Sequence, residues 1–506
     1  MSIDTRCDEP QPLGRALRQV VTVAATVRRL LPLLLAAALV AAGCGGTTKT
    51  TKQRRTSLQR FASRPDLRPT RVQVRTPANG TAPGYIFVGP KKMQGPGGLM
   101  IMNDRGQVVW YEPLKFPVQG TDFRVQSYHG RPVLTWWEGT QPNTGIGGGH
   151  YVIADDSYRT IATVRAGHGL HGDLHEFQLT PRGTAYITAY KKVPLDLTSI
   201  GGHKDAYVFD SVVQEVDVAS GRVVFEWHSL GHVAPSESPQ RIPAKTASFN
   251  APFDYFHVNS VAEDVDGNLL VSARNTSTIY KIRRSDGAII WRLGGEKSDF
   301  KMGPGTRFAW QHDAQRQPDG TITLFDNSAI PKVAPYSRAL VLRADLRTHT
   351  ATLVRAYKHP AKLSSPHQGD VQRLPNGDLF IGWGGVPFIS EFAPDGTVLF
   401  DAKLAIGDTY RAFRFPWTGH PVDRPAVVAR KDGGRVVVYA SWNGATDVAR
   451  WYVLAGPRRT RVHLIAEHSK TGFETKIPVR THARFVQVKA VDAAGAVLGT
   501  SRAVER

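Results

Sequence analysis

Four histidines of this chain occur in the same local context, in which a glycine-containing turn and then an apolar stretch follow the histidine. They open the segments HEFQLTPRGTAYI (His175), HVNSVAEDVDGNLLVS (His257), HDAQRQPDGTITLF (His312) and HQGDVQRLPNGDLFI (His367), and the last three lie 55 residues apart. An internal repeat therefore places one imidazole in each copy. Because imidazole can serve as nucleophile, proton carrier or metal ligand, four copies that meet in the fold would form a chemical site.

The repeat also predicts the fold class. A period of about fifty residues made of short strands and Asp-Gly or Asn-Gly turns is typical of successive four-stranded blades of a β-propeller. The region 84–420 holds about six such periods and has almost no helical periodicity. We therefore predict an all-β protein with a six-bladed β-propeller at 84–420, whose histidines converge at one end of the central channel. Two polar segments between His175 and His257, 193–206 and 232–254, are expected to lie on the rim above this site.

The last part of the chain has a different pattern. After about Pro421 the histidine repeat stops, and evenly sized strands such as RVVVYASWN, VARWYVLAG and RFVQVKAVDAAG follow. Trp442 and Trp451 are candidate core residues. These features resemble a small fibronectin type III-like β-sandwich, which we predict over 421–506.

The first 43 residues have the layout of an export signal. Arg15, Arg18, Arg28 and Arg29 precede the apolar run LLPLLLAAALVAAG, which is too short for a permanent membrane span and is followed by Cys44. The residues Ala41, Ala42, Gly43 and Cys44 resemble a bacterial lipobox, so we expect a lipoprotein-type signal peptide over 1–43 and lipid attachment at Cys44. The alternatives are an ordinary cleaved signal, with release as a secreted protein, and a degenerate membrane anchor.

The following segment, 44–83, has the composition of a disordered basic tether. Nine Lys or Arg residues lie between Cys44 and Arg75 against the single acid Asp66. Beside an acylated cysteine, this segment would lie close to anionic lipid headgroups, at up to roughly 1 kcal/mol per charge. The expected location is therefore the outer face of the bacterial cell membrane.

Net charge and cysteine content narrow the classes of partner. The formal net charge is +21 and the isoelectric point is about 10.0, as in many nucleic-acid-binding proteins, but the predicted export argues against nucleic acid as a partner. The two cysteines are Cys7 and Cys44, and the first lies in the part that would be removed. The mature protein is therefore expected to have no internal disulfide.

Longer motifs around the histidines resemble the bacterial arylsulfotransferase family over 84–420. The matching elements are FHVNSVAED, LLVSARNTSTIYKI, WQHDAQRQPDGTITLFDNS, HEFQLTPRG and GDVQRLPNGDLFI. The resemblance implies a six-bladed enzyme without a cofactor that transfers a sulfuryl group from aryl sulfates to phenols, independently of the nucleotide donor PAPS, in a ping-pong reaction through a covalent sulfohistidine. It also implies that His312 is sulfurylated, that His257 and Arg274 bind the sulfuryl oxygens, and that His175 is a further catalytic histidine.

The residue types fit this chemistry. Transfer between two similar phenols is close to thermoneutral, so a neutral imidazole such as that of His312 can accept and release the group in both half-reactions. A loose transition state carries charge on three equatorial oxygens and on the departing phenolate, which Arg274 and a protonated histidine would stabilise. Either His257 or His175 can protonate the leaving group and then deprotonate the acceptor.

Three further residues are candidate substrate-binding groups: Asn259, His171 and His367. Asn259 lies two residues after His257 and is therefore expected on the same face of a strand. His171 and His175 have the H-x-x-x-H spacing of a zinc pair on a helix, but the flanking HGDLHEFQL lacks helical character. We therefore predict no metal site.

Two other classes of function are compatible with the repeat. The histidine cluster can be an inherited but idle feature of a non-catalytic cell-surface β-propeller that binds a ligand or protein. A quinoprotein or metal-dependent propeller oxidoreductase would have a repeated tryptophan-docking motif, which this sequence does not offer. The enzyme prediction requires His312, His257 and Arg274 to surround one sulfate-sized pocket.

The best-known arylsulfotransferases carry an N-terminal sandwich and a disulfide, and this chain is predicted to have neither.

Overall fold

The computed structural model of the protein describes four stretches of the chain, residues 57–91, 97–142, 145–242 and 247–506. The predicted signal peptide over 1–43 and the predicted lipid attachment site at Cys44 lie outside these stretches. The chain divides into the units Met1–Leu58 and Gln59–Arg506, and the second unit holds every strand described below.

The described part of the protein is nearly all-β, which confirms the predicted fold class at that level. Two short 3₁₀ helices, Thr198–Ile200 and Pro235–Glu237, lie between the strands. Within the described stretches, no helix is long and apolar enough to cross a membrane.

The strands before residue 416 fall into six consecutive groups. The first strand, β1 (Val72–Thr76), precedes the first group, β2 (Tyr85–Val88), β3 (Gly98–Met102) and β4 (Val108–Pro113). The second group is β5 (Gln119–Tyr128), β6 (Arg131–Thr140), β7 (Gly148–Ala154) and β8 (Thr160–Val164). The third is β9 (Gly172–Leu179), β10 (Thr184–Leu195), β11 (Ala206–Asp217) and β12 (Val223–His228).

The remaining groups follow the same plan. The fourth is β13 (Val258–Glu263), β14 (Leu269–Ala273), β15 (Thr278–Ile282) and β16 (Ile289–Gly294). After β17 (Lys301–Met302), the fifth is β18 (His312–Arg316), β19 (Ile322–Asp326), β20 (Arg338–Asp345) and β21 (Thr350–Tyr357). The sixth is β22 (Asp370–Arg373), β23 (Leu379–Gly382), β24 (Phe388–Phe392) and β25 (Val398–Leu404), and β26 (Ala412–Phe415) comes last.

Consecutive strands of each group pair in antiparallel fashion. The first group gains a fourth strand because β26 pairs with β2, where Phe415 lies opposite Tyr85. The single pair Gly149–Gly172 joins the second and third groups into one eight-stranded sheet. Strands distant in sequence thus complete the first group.

Six inner strands, β26, β5, β9, β13, β18 and β22, lie next to one another in that order, and β22 lies beside β26 again. Apolar clusters fill the spaces between neighbouring groups. One cluster contains Trp227 and Tyr280 between the third and fourth groups, and another contains Phe325 and Trp383 between the fifth and sixth. Burial of these large side chains is the main stabilising contribution, at roughly 25 cal/mol per Å² of apolar surface. The sheets therefore surround a common centre.

The N-terminal boundary differs from the prediction. The disordered tether predicted over 44–83 is wrong for its last part, because β1 pairs with β25 and Val72 lies opposite Leu404. Val72 and Val74 pack against an apolar cluster that buries Leu67. The Arg, Thr and Pro residues around these valines make the apolar alternation of the strand too short to recognise in the sequence. Burial of the valines offsets the entropy lost on ordering the segment.

The strands after Pro421 form two further sheets: β27 (Ala426–Asp432), β28 (Arg435–Ser441), β29 (Arg450–Arg458), β30 (Arg461–Ser469), β31 (Glu474–Val479), β32 (Phe485–Val491), β33 (Val497–Thr500) and β34 (Val504–Glu505). The strands β27, β28 and β31 form one sheet, and the other five strands form the second. Both sheets enclose a cluster in which Val438 and Trp451 are buried and against which Trp442 packs.

Candidate active site

A cavity of about 700 Å³ lies where the inner strands begin. Every inner strand contributes a lining residue at or near its start: Gln119 in β5, His175 in β9, His257 before β13, His312 in β18, Gln368 before β22 and Tyr410 before β26. The other lining residues are Gln141, Pro142, Gly145, Leu174, Gln240, Asp254, Arg274, Asn275 and His367. The cavity thus brings together four histidines and one arginine that the sequence singled out.

The two ring nitrogens of His312, which is fully buried, have different surroundings. The Asn327 amide donates to the carbonyls of Ser365 and Gln368, so its Oδ1 faces His312 and accepts from Nδ1 at 2.7 Å. Nε2 therefore keeps the lone pair, and it accepts a long hydrogen bond from the Gln368 amide at 3.2 Å. Burial, and then the charge of Arg274, hold the pKa of His312 well below its usual range, so this imidazole is neutral.

His175 is buried on β9 and pairs with a carboxylate. Its Nδ1 donates to Asp173 Oδ2, and the other carboxylate oxygen accepts from the Gly147 amide at 2.7 Å. Burial lowers the pKa of His175 despite the neighbouring carboxylate. Because Nδ1 is the donor, Nε2 is the nitrogen left to exchange protons with a substrate.

His257 repeats this arrangement on the neighbouring strand. It lies directly before β13 with a φ of 58°, a conformation that residues other than glycine rarely adopt. Its Nδ1 donates to Asp254 Oδ2, and its ring meets that of His175 edge to face with the centroids 4.8 Å apart. Two His–Asp pairs therefore approach the cavity side by side.

Arg274 brings a positive charge to the same cavity. Its guanidinium donates to Asn275 Oδ1 at 2.7 Å and lies over the Trp310 ring, 5.3 Å from the centroid. Its remaining partners are the carbonyls of Ile330 and Pro366, both at 3.4 Å, so its hydrogen-bond partners in the described stretches are neutral. Burial lowers the pKa of Arg274, but a guanidinium stays charged. Such a group is suited to binding an anion such as sulfate.

Two predicted substrate-binding residues lie away from the cavity lining. Asn259 is fully buried, and its Nδ2 donates to the Gln311 carbonyl at 2.6 Å, which ties β13 to β18. The expected alternation with His257 fails because the positive φ of that histidine interrupts the extended backbone. His171 is exposed, whereas His175 is buried. Among the described residues, no group of three or more His, Cys, Asp and Glu side chains is placed to hold a metal ion.

A buried ionic network next to the site joins three inner strands. Arg411 follows the cavity-lining Tyr410 and donates to Asp122 of β5 at 3.0 Å and to Glu176 of β9 at 3.1 Å. It also donates to the Asn259 carbonyl at 3.1 Å. The network therefore fixes the strands that carry the histidines relative to one another.

The two carboxylates that pair with histidines were not predicted from the sequence. Asp173 precedes His175 by two residues, and Asp254 precedes His257 by three. An acidic residue shortly before a repeated histidine was the available signal, because a side chain at that distance can turn back onto the imidazole.

A family model described as arylsulfotransferase (ASST) matches residues 124–405, which is more than half of the chain and includes the histidines, Arg274 and both carboxylates. The fold and this match define an all-β protein of sulfotransferase type. The chain belongs to the arylsulfotransferase family, which confirms the resemblance of its motifs.

No curated protein sequence matches the chain significantly. Similar solved structures include a protein of unknown function from Bacteroides caccae, with 14% identity over 65% of this chain and 98% of that chain and a TM-score of 0.40. A protein from Lactobacillus plantarum has 13% identity over 78% and 99%, with a TM-score of 0.36. Virginiamycin B lyase from Staphylococcus aureus has 11% identity over 72% and 94%, with a TM-score of 0.32. Likenesses at this level carry no statement about activity.

Proposed function

We propose that the protein is a PAPS-independent aryl sulfate:phenol sulfotransferase in which His312 forms a covalent sulfohistidine. Membership of the arylsulfotransferase family supports sulfuryl transfer. The observation that carries the choice of nucleophile is the neutral, buried imidazole of His312, which shares its cavity with the guanidinium of Arg274. Small phenolic sulfates are the proposed donors, and phenols are the proposed acceptors.

In the first half-reaction, Nε2 of His312 attacks the sulfur of the aryl sulfate, a nitrogen–sulfur bond forms, and the bond from sulfur to the aryl oxygen breaks. Nε2 gives up the hydrogen bond from Gln368, which is weak at 3.2 Å. Arg274 binds the equatorial oxygens of the transition state. One of the paired histidines, His257 or His175, starts this step as the imidazolium and donates its Nε2 proton to the departing phenolate, which leaves the ring neutral.

In the second half-reaction, the oxygen of the acceptor phenol attacks the same sulfur, the nitrogen–sulfur bond breaks, and the electron pair returns to His312. The histidine that protonated the first phenolate takes up the proton of the acceptor, so the site regains its starting state. The first product leaves before the acceptor binds, which gives ping-pong kinetics.

We extend the proposal to the architecture and the location. Six antiparallel groups with neighbouring inner strands support a six-bladed β-propeller. Sheets of three and five strands around one core support a fibronectin type III-like sandwich over 421–506. The signal-like sequence over 1–43 and Cys44 support an exported lipoprotein on the outer face of the bacterial cell membrane.

Release of nitrophenol from p-nitrophenyl sulfate tests the proposed function. We expect the chain from Gly45 to Arg506 to release nitrophenol continuously when phenol is present. Without phenol it should release a burst close to one equivalent, because sulfurylated His312 then accumulates. His312→Ala should abolish both phases, and His171→Ala, which removes an exposed histidine outside the cavity lining, should change neither.

Mass spectrometry after the burst should locate one sulfuryl group on the peptide that contains His312. Continuous release that survives His312→Ala would contradict the covalent mechanism. A folded protein that releases nothing with a range of phenols would instead favour a non-catalytic binding module of the cell surface.

A further inference from the structure

Three oxygen atoms of the cavity lining are buried and have no hydrogen-bond partner among the described residues: Gln119 Oε1, Asp254 Oδ1 and Gln368 Oε1. All three are acceptors, and Gln368 as a whole is only 6% exposed. Buried acceptors are nearly always bonded in native proteins. Each of these atoms is therefore available to accept a hydrogen bond from a molecule in the cavity.

Other amide side chains of the lining are bonded within the protein. Gln240 Nε2 donates to Asn275 Oδ1 at 2.8 Å, and Gln141 Nε2 donates to the Gly145 carbonyl at 3.2 Å. Among the lining residues, the buried oxygens without a partner thus belong to Gln119, Asp254 and Gln368.

These positions lie beside the reacting groups. The Gln368 amide donates to His312 Nε2 at 3.2 Å, and its carbonyl accepts from Asn327 Nδ2 at 2.9 Å, so the backbone is held on both sides. The second carboxylate oxygen of Asp254 accepts from His257 Nδ1. One unpartnered acceptor is thus attached next to the nucleophile and another next to a proton carrier.

On the basis of the proposed function, we propose that the preferred acceptor carries a second hydroxyl beside the one that is sulfurylated, and that Gln368 selects for it. An ortho-dihydroxyarene places one oxygen at the sulfur on His312 and the neighbouring O–H within the set of acceptors formed by Gln368, Asp254 and Gln119. The second hydroxyl keeps its proton and donates a hydrogen bond, so the transfer step itself is unchanged. A phenol with a single hydroxyl leaves these acceptors unpaired, which weakens transition-state binding.

The test compares catechol, 2-methoxyphenol and phenol as acceptors with p-nitrophenyl sulfate as the donor. In 2-methoxyphenol a methyl group removes the second donor. We expect the wild-type kcat/KM for catechol to exceed that for 2-methoxyphenol by about tenfold or more, because sites that bind a hydroxyl discriminate against analogues without it. Gln368→Met keeps the side-chain length without the oxygen and should lower this ratio to about threefold or less.

Two further variants serve as controls. Gln368→Glu retains an acceptor at the same place and should retain most of the preference for catechol. Gln141→Met removes a lining carboxamide whose oxygen is not among the three buried unpartnered acceptors, and it should leave the ratio unchanged. Because the ratio for two acceptors is compared between variants, differences in the intrinsic reactivity of the phenols cancel.

A wild-type ratio near one, or a ratio that Gln368→Met leaves unchanged, would overturn this inference, while continuous release with phenol would still uphold sulfuryl transfer. Absence of release with all three acceptors would overturn both. Where circular dichroism shows that Gln368→Met does not fold, Gln119→Met on β5 should lower the ratio in the same direction, and failure to do so overturns the inference equally.

Discussion

For the single residue His312, the surroundings keep the ring neutral in mildly acidic solution. Burial and the charge of Arg274 hold the pKa of His312 well below its usual range. We expect the rate of the nitrophenol burst to stay level from about pH 7.5 down to about pH 6, where an ordinary imidazole gains its proton. Stopped-flow measurements across this range check the prediction. A decline with a midpoint near roughly 6.5 that persists in both His257→Gln and His175→Gln would contradict it.

The surroundings of His175 bear on which histidine carries the proton. Burial lowers the pKa of His175, which favours a neutral, hydrogen-bonding role for that ring. We therefore expect Asp254→Asn, which disturbs the Nδ1–H tautomer of His257, to lower kcat by about 100-fold with phenyl sulfate, and Asp173→Asn to lower it less.

Comparison of two donors distinguishes this role from a structural one. Nitrophenolate is a more stable anion than phenolate and needs less protonation as it leaves, so the loss in Asp254→Asn should be smaller with p-nitrophenyl sulfate. Steady-state kinetics with both donors checks the prediction, and equal losses would argue against proton transfer through His257.

Part of the site is predictable from residues that lie close together in the sequence. Asp173 and Asp254 stand within three residues of their histidines and so leave a detectable local pattern. The Arg411 network leaves none, because Asp122 is 289 residues away and Glu176 is 235 residues away. Contacts between strands that far apart depend on how the inner strands lie next to one another in the folded protein.

Among the elements, β22 begins after a glycine that no other residue can replace without strain. Gly369 has a φ of 107°, and a Cβ there would lie 2.5 Å from the ring of the fully buried Phe325. We expect Gly369→Ala to lower the free energy of unfolding by about 3 kcal/mol through backbone strain and overlap in the core.

The matched control is Gly320→Ala, in a turn where φ is 79° and a Cβ meets no atom within 4 Å among the described residues. Backbone strain alone should cost about 1 kcal/mol there. Denaturation in guanidinium chloride compares the two variants, and equal losses would show that overlap with Phe325 contributes nothing.

The histidine repeat predicts four of the six inner strands, β9, β13, β18 and β22, because each begins at or near a repeated histidine. The other two, β5 and β26, carry Gln119 and Tyr410 where the histidine would stand, so the repeat does not mark them. The strand β1 was missed because Val72 and Val74 are too few to stand out from the basic residues around them.

Across the whole molecule, Arg411 links the last inner strand to β5 and β9, and it is fully buried with Asp122 and Glu176. Arg411→Met would leave these two buried carboxylates with Arg124 as their remaining counter-charge, at 3.2 Å from Asp122 and 2.6 Å from Glu176, and should lower the free energy of unfolding by about 3 kcal/mol near neutral pH. As a control, Arg484→Met breaks an exposed pair with Glu505 and should change it by less than about 1 kcal/mol.

The destabilisation by Arg411→Met should depend on pH. Burial raises the pKa of Asp122 to about 6 even beside Arg411, and loss of the guanidinium raises it further above the unfolded value of about 3.9. The folded variant then binds a proton more readily than the unfolded chain, so its stability rises as the pH falls. Denaturation should show a smaller difference from wild type at about pH 5 than at about pH 7.5. A larger difference at the lower pH would contradict this account.

The pairing of β26 with β2 has a consequence for the timing of activity. The strand β2 precedes every histidine of the site in the chain, and β26 follows them all. A chain that emerges with its N-terminus first therefore contains His175, His257 and His312 before the strand that pairs with β2 has been made. Chains halted before Ala412 should be inactive in the nitrophenol assay. The order of synthesis thus sets the earliest point at which the site can be complete.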